Sequence, residues 1–344
     1  MLTQVLMKTR SPMTDEKFKD KFKDKWWCST VIEQLKQGKS NRAIAKDVFG
    51  KSDDEYRIRR LLKQDWVQKE LGSEVTKSTR ELKTLYFDVE NSPCEYYGWG
   101  RFDQSFSQDQ VKRESHLLTI SFATNDDEVK SFKLSADDVI NQDDLTLVAN
   151  LAQVINESDV IVGFNSKKFD LKVLKTRMLL WGLPPLQPKK HIDIMQQAKQ
   201  HFRFPSNSMD NICKYLGYSV LKQNTGGFAL WRRCMETHDR EECTKALEEM
   251  ELYNRQDIEV TRNLYKKMQG WFTGVNVGTI TNQITGNHTL RCSKCGSDDV
   301  YLDKGFHYTA QSAFSFYRCS NCLGVSRMSK KVDKDGVDGV LLNV

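Results

Sequence analysis

The sequence predicts an α/β protein in which a mixed central domain lies between a basic helical domain and a small metal-stabilised domain. Three observations carry this prediction. Apolar runs typical of buried strands alternate with helical patterns over residues 81–275. Helical spacings and capping residues recur over residues 1–80, and two Cys-x2-Cys pairs lie within residues 276–344. A length of 344 residues suits two or three domains.

The first strand of the central domain ends in two carboxylates, Asp88 and Glu90. They follow the apolar run of residues 85–87, and the alternation along a strand places both on the same face of a sheet. Like charges this close are costly unless a cation neutralises them or one stays protonated. Hard oxygen ligands select Mg²⁺ or Mn²⁺. A lone Asp-x-Glu pair is usually a solvated turn, so the interpretation depends on further partners.

Two acidic residues downstream occur where they can supply those partners. Asp170 follows a strand-like run at residues 160–164 and a turn that contains Asn165, and a helix begins near it. Asp257 lies in a helical stretch four residues after Tyr253, so these two side chains share one helix face. The strand, the turn and the helix together therefore indicate one acidic site.

This combination of motifs resembles that of a known enzyme superfamily. The Asp-x-Glu strand, the Phe-Asn-x-x-x-Phe-Asp turn and the Tyr-x-x-x-Asp helix resemble the three exonuclease motifs of the DEDD superfamily, in its tyrosine subclass. Proofreading 3′-5′ exonuclease domains of B-family DNA polymerases share them, as do free-standing ribonuclease-H-like exonucleases, many from phages. The resemblance covers about residues 81–270 and includes a strand at His191 and a helix after Ser208.

The resemblance implies a ribonuclease-H-like fold with a mixed sheet. It implies strands near residues 117–124 and 129–134, a helix near residues 145–155 and a strand at residues 160–164. No polymerase palm or fingers pattern flanks the motifs, so we expect a free-standing exonuclease. Asp193 follows the strand at His191 and is as well suited to capping the next helix as to catalysis.

The resemblance also implies roles for five residues in a two-metal hydrolysis of phosphodiester bonds. Two Mg²⁺ or Mn²⁺ ions would be held by carboxylates, with Asp88 between them. Glu90 and Asp257 would complete the contacts to the ion that activates water, and Asp170 would contact the hydration shell of the second. Tyr253 would orient the attacking water through its hydroxyl. Asn165 is assigned to nucleic-acid binding.

Charge is distributed unevenly along the chain. Residues 1–80 hold 19 Lys and Arg against 12 Asp and Glu, a net charge of +7, whereas residues 81–275 hold 25 against 28, or −3. Residues 276–344 hold 8 against 6, or +2. Basic flanks around an acidic segment suit a polyanionic substrate, because they supply the attraction that the carboxylates oppose. The alternative interpretation is that these charges only form a solvated surface and bind no polyanion.

The composition favours a soluble protein of a reducing compartment. The sequence contains no run of about 18 apolar residues, and its N-terminus lacks the apolar segment of a signal peptide. Nine cysteines in so long a chain do not suggest a disulfide scaffold, since four have metal-ligand spacing and five are scattered. We therefore expect no membrane contact and a cytoplasmic location, in a bacterial host if a phage encodes the protein.

The N-terminal segment has helical spacing and capping signals. Aromatic residues recur every fourth position at Phe18, Phe22 and Trp26, a stripe that suits either packing on the next helices or stacking on bases. Ser29 and Ser40 are expected N-caps, and Gly38 is an expected C-cap.

These helices resemble a resolvase-type helix-turn-helix, whose third helix would be the recognition helix. Its basic residues would then contact DNA phosphates or base edges: Arg57, Arg59, Arg60 and Lys63. Short helical triplets also serve as protein-docking modules, so both roles stay open. The acidic residues 53–55 at the start of this helix favour its dipole and oppose phosphate.

The C-terminal segment carries a metal-ligand pattern in which one Cys-x2-Cys pair follows another after 23 residues. The four cysteines are Cys292, Cys295, Cys319 and Cys322. Two such pairs form a tetrahedral thiolate site for one Zn²⁺, and the intervening aromatic run suits the short strands of a zinc ribbon. Four thiolates leave no vertex for chemistry, so the zinc would be structural. An iron–sulfur site or a redox dithiol is the alternative.

The sequence thus favours a metal-dependent 3′-5′ exonuclease that degrades single-stranded nucleic-acid ends, with DNA preferred to RNA. RNA or duplex ends are alternative substrates, and replication or recombination proteins are further candidate partners. A nucleic-acid-binding or scaffolding protein with a vestigial nuclease domain is a second hypothesis. A ribonuclease-H-like transposase is a third, although it would not need Glu90 beside Asp88 or a tyrosine before Asp257.

Overall fold

A computed structural model describes most of the chain. The described residues are 26–62, 67, 70–71, 80–100, 102, 104–218, 227–236, 238–287, 289–310 and 312–332. Phe18 and Phe22 of the expected aromatic stripe and Lys63 of the expected recognition helix lie outside them. The chain divides into two units, residues 1–78 and residues 79–344.

Three helices form the described part of the first unit: α1 Trp26–Lys36, α2 Asn41–Phe49 and α3 Glu55–Leu61. They bury an apolar core of their own that includes Val31, Ile44 and Ile58. The Ser40 hydroxyl accepts a hydrogen bond from the Ala43 N–H, which confirms Ser40 as the N-cap of α2. The expected Ser29 cap is wrong, because α1 begins at Trp26 and Ser29 lies within it.

The second unit is built on a five-stranded mixed sheet in the order β5-β4-β1-β6-β7. Its strands are β1 Thr84–Asn91, β4 Leu117–Thr124, β5 Lys130–Lys133, β6 Val160–Gly163 and β7 Lys190–Asp193, and a short hairpin, β2 Glu95–Tyr96 with β3 Val111–Arg113, follows β1. The central strand β1 pairs antiparallel with β4 and parallel with β6. The strands expected at residues 117–124, 129–134 and 160–164 are confirmed, the last two within one or two residues.

Seven helices in the described part of the second unit cover this sheet and connect it to the C-terminal segment. They are α4 Ala136–Asn141, α5 Leu145–Glu157, α6 Asp170–Leu180, α7 Ile194–His201, α8 Met209–Tyr215, α9 Ala229–Met235 and α10 Arg240–Met268. The 29-residue α10 begins where the Asp239 carboxylate accepts the Glu242 N–H, and its acidic first turn and basic last turn complement the helix dipole. It contributes buried side chains to both apolar clusters of the unit.

Alternation along β1 decides what its two faces carry. Leu85, Phe87 and Val89 are buried in the first apolar cluster, whereas Tyr86 is buried in the second. The carboxylates of Asp88 and Glu90 share the Tyr86 face because they continue its period of two. β6 pairs with β1 only over Thr84 to Tyr86, so both carboxylates lie beyond the parallel pairing.

The C-terminal segment follows a 3₁₀ turn at Gln269–Trp271 and contains helix α11 Val277–Thr285 and strands β8 Val300–Tyr308, β9 Ala313–Cys319 and β10 Val325–Arg327. The strands form an antiparallel sheet in the order β10-β9-β8. This segment contacts the core directly. The Lys294 ammonium donates to the Phe272 carbonyl, and Gly270 lies so close to the Cys322 carbonyl that a Cβ there would collide with it.

A buried ion pair ties α5 to α6. The Asp144 carboxylate is fully buried and accepts hydrogen bonds from Arg177 Nε at 2.7 Å, from Arg177 Nη2 at 2.8 Å, from the Trp181 indole and from the Leu117 N–H. Each oxygen is therefore satisfied, which offsets the cost of removing the charge from water.

Loss of Arg177 would leave that carboxylate charged and underbonded in the protein interior. We expect Arg177→Met to lower the free energy of unfolding by about 3–5 kcal/mol, measured by urea denaturation. Arg240→Met is the matched control, because its ion pair with Asp137 is exposed and should contribute less than about 1 kcal/mol. A loss at Arg177 no larger than that of the control would contradict the prediction.

Candidate active site and zinc centre

Three carboxylates meet where the second half of β1 faces α10. Asp88 and Glu90 come from β1 and Asp257 from α10, and one oxygen of each lies within 4.8 Å of the others. Asp257 is 4% exposed, while Asp88 and Glu90 are half-buried. The site is therefore open on the strand side and closed on the helix side.

This group fits a hard divalent cation. Oxygen atoms bound to one octahedral Mg²⁺ with bonds of about 2.1 Å lie about 3.0 Å apart in neighbouring positions and about 4.2 Å apart in opposite ones, so three oxygens within 4.8 Å of one another need to approach by at most about 1.8 Å. Three carboxylates held this close repel one another without a cation. The donor set therefore suits Mg²⁺ or Mn²⁺, as the sequence predicts.

Asn254 is a site residue that the sequence motifs did not reveal. It is fully buried, and its Nδ2 donates a 2.7 Å hydrogen bond to Asp88 Oδ2. Its Oδ1 is also buried and accepts no hydrogen bond from the described residues. Its position between Tyr253 and Asp257 on α10 was the available signal, since a residue three before Asp257 shares that helix face.

Asn254 therefore fixes the orientation of the Asp88 carboxylate. We expect Asn254→Ala to raise the Mg²⁺ concentration needed for half-maximal activity by about 10- to 100-fold, as is typical when a hydrogen-bond partner of a metal ligand is removed. Isothermal titration with Mn²⁺ would measure the affinity without relying on turnover. An unchanged Mn²⁺ affinity would show that Asn254 only fills space.

Asp170 lies beside this group and is not one of its three members. It is the first residue of α6, and its Oδ1 accepts a 3.1 Å hydrogen bond from the Val89 N–H, which lies past the end of the β6 pairing. Burial raises the pKa of the Asp170 carboxyl to about 7. Asp170 therefore contacts β1 at Val89, the residue between Asp88 and Glu90. A cation nearby would favour the charged form of the Asp170 carboxyl.

Tyr253 lies one turn before Asp257 on α10. Its side chain is 7% exposed and packs edge-on against the Trp231 ring, with 6.0 Å between the ring centroids. The ring therefore has a fixed position on the helix face that carries Asn254 and Asp257. Such a fixed phenol can position a small molecule through its hydroxyl.

Asn165 lies in the turn between β6 and α6, and Asp193, the last residue of β7, accepts hydrogen bonds from that turn. Asn165 has a φ of 60°, a left-handed conformation that asparagine tolerates, and its N–H donates to Asp193 Oδ1. The Asp193 carboxylate also accepts the N–H groups of Lys167 and of Gln196, the latter as N-cap of α7. Asp193 therefore caps α7. The left-handed conformation at residue 165 accounts for the asparagine there without any contact to nucleic acid.

Two of the three predicted DNA-contacting arginines of α3 form ion pairs within the first unit. Arg57 Nε lies 3.1 Å from the Asp54 carboxylate and its guanidinium stacks over the Phe49 ring, while Arg59 donates to Glu55 at 2.9 Å. The side chain of Arg60 lies outside the described atoms, as does Lys63. The acidic residues at the start of α3 thus form ion pairs with two of the four residues that were expected to contact DNA.

The four cysteines of the C-terminal segment come together at one point. All four Sγ atoms lie within 4.8 Å of one another, and the Cys292–Cys322 and Cys295–Cys319 pairs are each 3.6 Å apart. Sulfur atoms around a tetrahedral Zn²⁺ with bonds of about 2.3 Å would be about 3.8 Å apart. The cluster therefore fits one zinc ion. All nine cysteines lie in the described part of the chain, and none forms a disulfide.

The described helices include none long and apolar enough to cross a membrane.

Residues 109–269 match the family model of the RNase_H superfamily, RNase_H_2. Among solved structures, the family B DNA polymerase from the hyperthermophilic archaeon Pyrobaculum calidifontis is similar, with 14% sequence identity and a TM-score of 0.38. The similarity covers 70% of this chain and 33% of that one, so the chain spans about a third of the length of the polymerase.

No curated protein matches the chain. The matched residues 109–269 contain most of the mixed sheet and the whole α10 segment that carries Asp257. The sheet order, the helices that cover it and the family match together fit a ribonuclease-H-like core.

Proposed function

We propose that this protein is a metal-dependent 3′-5′ exonuclease acting on single-stranded nucleic acid, with DNA as the favoured substrate. One observation carries the proposal. Carboxylate oxygens of Asp88, Glu90 and Asp257 lie within 4.8 Å of one another in a chain whose residues 109–269 match the RNase_H superfamily. Nuclease chemistry accounts for this arrangement because a phosphodiester needs both an activated water and stabilisation of its leaving oxygen.

The residues of the site divide this work. Asp88, Glu90 and Asp257 would hold the shared cation and Asp170 would complete a second position, while Asn254 keeps Asp88 oriented. A pair of Mg²⁺ or Mn²⁺ ions would supply the lowered pKa of the attacking water and the charge stabilisation. The Tyr253 hydroxyl would hold that water in line with the phosphorus. The single-stranded nucleic acid would enter from the side of Asp88 and Glu90, which are half-buried.

The flanking segments would hold the nucleic acid or recruit partners. We propose the zinc as a structural ion of the C-terminal ribbon, on the strength of the four-thiolate geometry. The first unit remains a proposed DNA-binding module, and the ion pairs of Arg57 and Arg59 favour a protein-docking role as its alternative.

The test is incubation of the purified full chain with 5′-labelled single-stranded DNA and RNA of equal length, with Mg²⁺, Mn²⁺ or EDTA. A ladder of shortened 5′-labelled products and release of nucleoside 5′-monophosphates are expected only with a divalent cation. Circular single-stranded DNA of the same sequence should resist, because it has no 3′ end. Cleavage of the circle would replace the exonuclease with an endonuclease, and inactivity on every substrate would refute the proposal.

Tyr253→Phe separates water positioning from metal binding. We expect turnover to fall by roughly 10- to 10³-fold with an unchanged Mg²⁺ dependence, because a single positioning hydrogen bond contributes less than a metal ligand. Trp231→Phe is a useful control, since it retains an aromatic contact to Tyr253 and leaves the hydroxyl in place. Wild-type turnover in Tyr253→Phe would make the tyrosine a packing residue only.

A further inference from the structure

The C-terminal segment has a groove where its sheet meets the loop after α10. The groove has a volume of about 720 Å³ and is lined by Thr273, Gly274 and Asn276, by the first cysteine turn, by parts of β8, β9 and β10 and by the two residues after β10. The lining includes two phenylalanines, one histidine and two cationic residues: Phe306, Phe316, His307, Lys294 and Arg327. No carboxylate occurs among the described residues that line it.

The chemistry of this lining differs from that of the carboxylate site. Arg327 is exposed on the edge strand β10, and its guanidinium lies 4.3 Å from the centre of the Phe314 ring. Phe316 pairs with Arg327, and His307 pairs with Phe314, so these rings lie on the same face of the sheet as the guanidinium. The one acidic side chain on the described strands β8, β9 and β10, Asp303, accepts a hydrogen bond from Arg318. Positive charge and aromatic faces are therefore available together.

We propose that this groove binds single-stranded DNA at a site separate from the carboxylates. Unpaired bases expose faces that can stack on the rings of Phe316 and His307, which share a face of the sheet with Arg327, whereas the bases of a duplex are already stacked. The Arg327 guanidinium can contact a phosphate and, through its ring partner, a base plane. An acidic peptide would satisfy the charge but would leave those two rings without partners.

The groove lies beyond the C-terminal end of the helix that carries Asp257. Asp257 and the first lining residue, Thr273, are 16 positions apart in the chain, and most of the residues between them belong to α10. If the proposed function holds, the groove would bind the part of a long strand that lies outside the carboxylate site.

The experiment measures binding of the full chain to a labelled 20-nucleotide oligo-dT by fluorescence anisotropy, without added divalent cation, over a series of salt concentrations. We expect Arg327→Ala to weaken binding at least about fivefold and to reduce the slope of log K against log salt by about 0.7, the loss of one phosphate contact on a single strand. Phe316→Leu should weaken binding and leave the slope unchanged. One zinc per chain in each variant shows that the segment is folded.

Arg240→Ala is the matched control, because it removes the same charge at the opposite end of α10. Its affinity and salt slope should equal those of the wild type. Equal behaviour of Arg327→Ala and the wild type, an equal loss in Arg240→Ala, or tighter binding of a 20-base-pair duplex would each overturn the proposal. Because hydrolysis is absent under these conditions, failure here is distinct from failure of the nuclease assay.

Discussion

Asp88→Ala and Asp257→Ala should each abolish metal-dependent cleavage, with a loss of about 10³-fold or more. The carboxylates belong to one group of three, so removing either leaves too few oxygen ligands to hold a cation of high charge density. A loss of 10³ corresponds to about 4 kcal/mol of transition-state stabilisation. Initial rates on 5′-labelled oligo-dT at saturating Mg²⁺ would measure it.

Folding must be shown to survive in these variants. Neither side chain belongs to the apolar clusters, and removing one of three like charges relieves repulsion, so the midpoint of thermal unfolding of Asp257→Ala should stay close to that of the wild type or rise. Asp88→Ala also removes the acceptor of the buried Asn254 amide, so we expect it to lower the free energy of unfolding by about 1–3 kcal/mol and still fold. Asp210→Asn is the control, since this carboxylate pairs with Lys214 on the surface of α8, away from the group of three. Near-normal activity in either alanine variant would remove the carboxylate group from the proposed mechanism.

Replacing Cys292 and Cys295 by serine should release the zinc and unfold the C-terminal segment. Four-thiolate sites contribute on the order of 10 kcal/mol to the folding of small zinc domains, far more than the apolar contacts of three short strands. We expect zinc content to fall from one per chain to none, and hydrogen exchange to become fast over residues 289–332. Cys94→Ser, outside the thiolate group, should retain the metal.

The mixed-sheet core should survive this change. Its two apolar clusters contain no residue from the cysteine turns or from β8 to β10; their last members are Val277 and Ile280 of α11. Cleavage of oligonucleotides of about four residues should therefore persist. Protein purified without chelator and found to contain no zinc would refute the metal assignment. Loss of short-substrate cleavage would show that the contacts at Gly270 and Phe272 support the catalytic fold.

Several features of the fold could be predicted from the sequence because their causes are local. The period of two along β1 puts Asp88 and Glu90 on one face, and an i,i+4 spacing puts Tyr253 and Asp257 on one helix face. The Cys-x2-Cys spacing similarly brings two thiolates together within one turn. These relations need only backbone geometry, so the expected strands and the four-thiolate cluster agree with the structure.

Other features depend on which elements pack together, and the sequence left them open or misplaced. Ser29 satisfies the rule for an N-cap, but α1 already begins at Trp26, three residues before it, and Trp27 is buried in the helical core. The contact of Asn254 with Asp88 joins residues 166 positions apart, and Asp170 reaches the Val89 N–H only because β6 ends early.

The sequence by itself thus determined the chemistry of the site: which carboxylates, thiolates and tyrosine are present, and on which face of its own element each lies. The tertiary structure decided which of them meet. It brought Asp257 to Asp88 and Glu90, and left Asp170 outside that group of three. The reason is physical, since side-chain direction follows from the period of a single helix or strand, whereas distances between elements follow from the packing of the buried clusters on the two faces of the sheet.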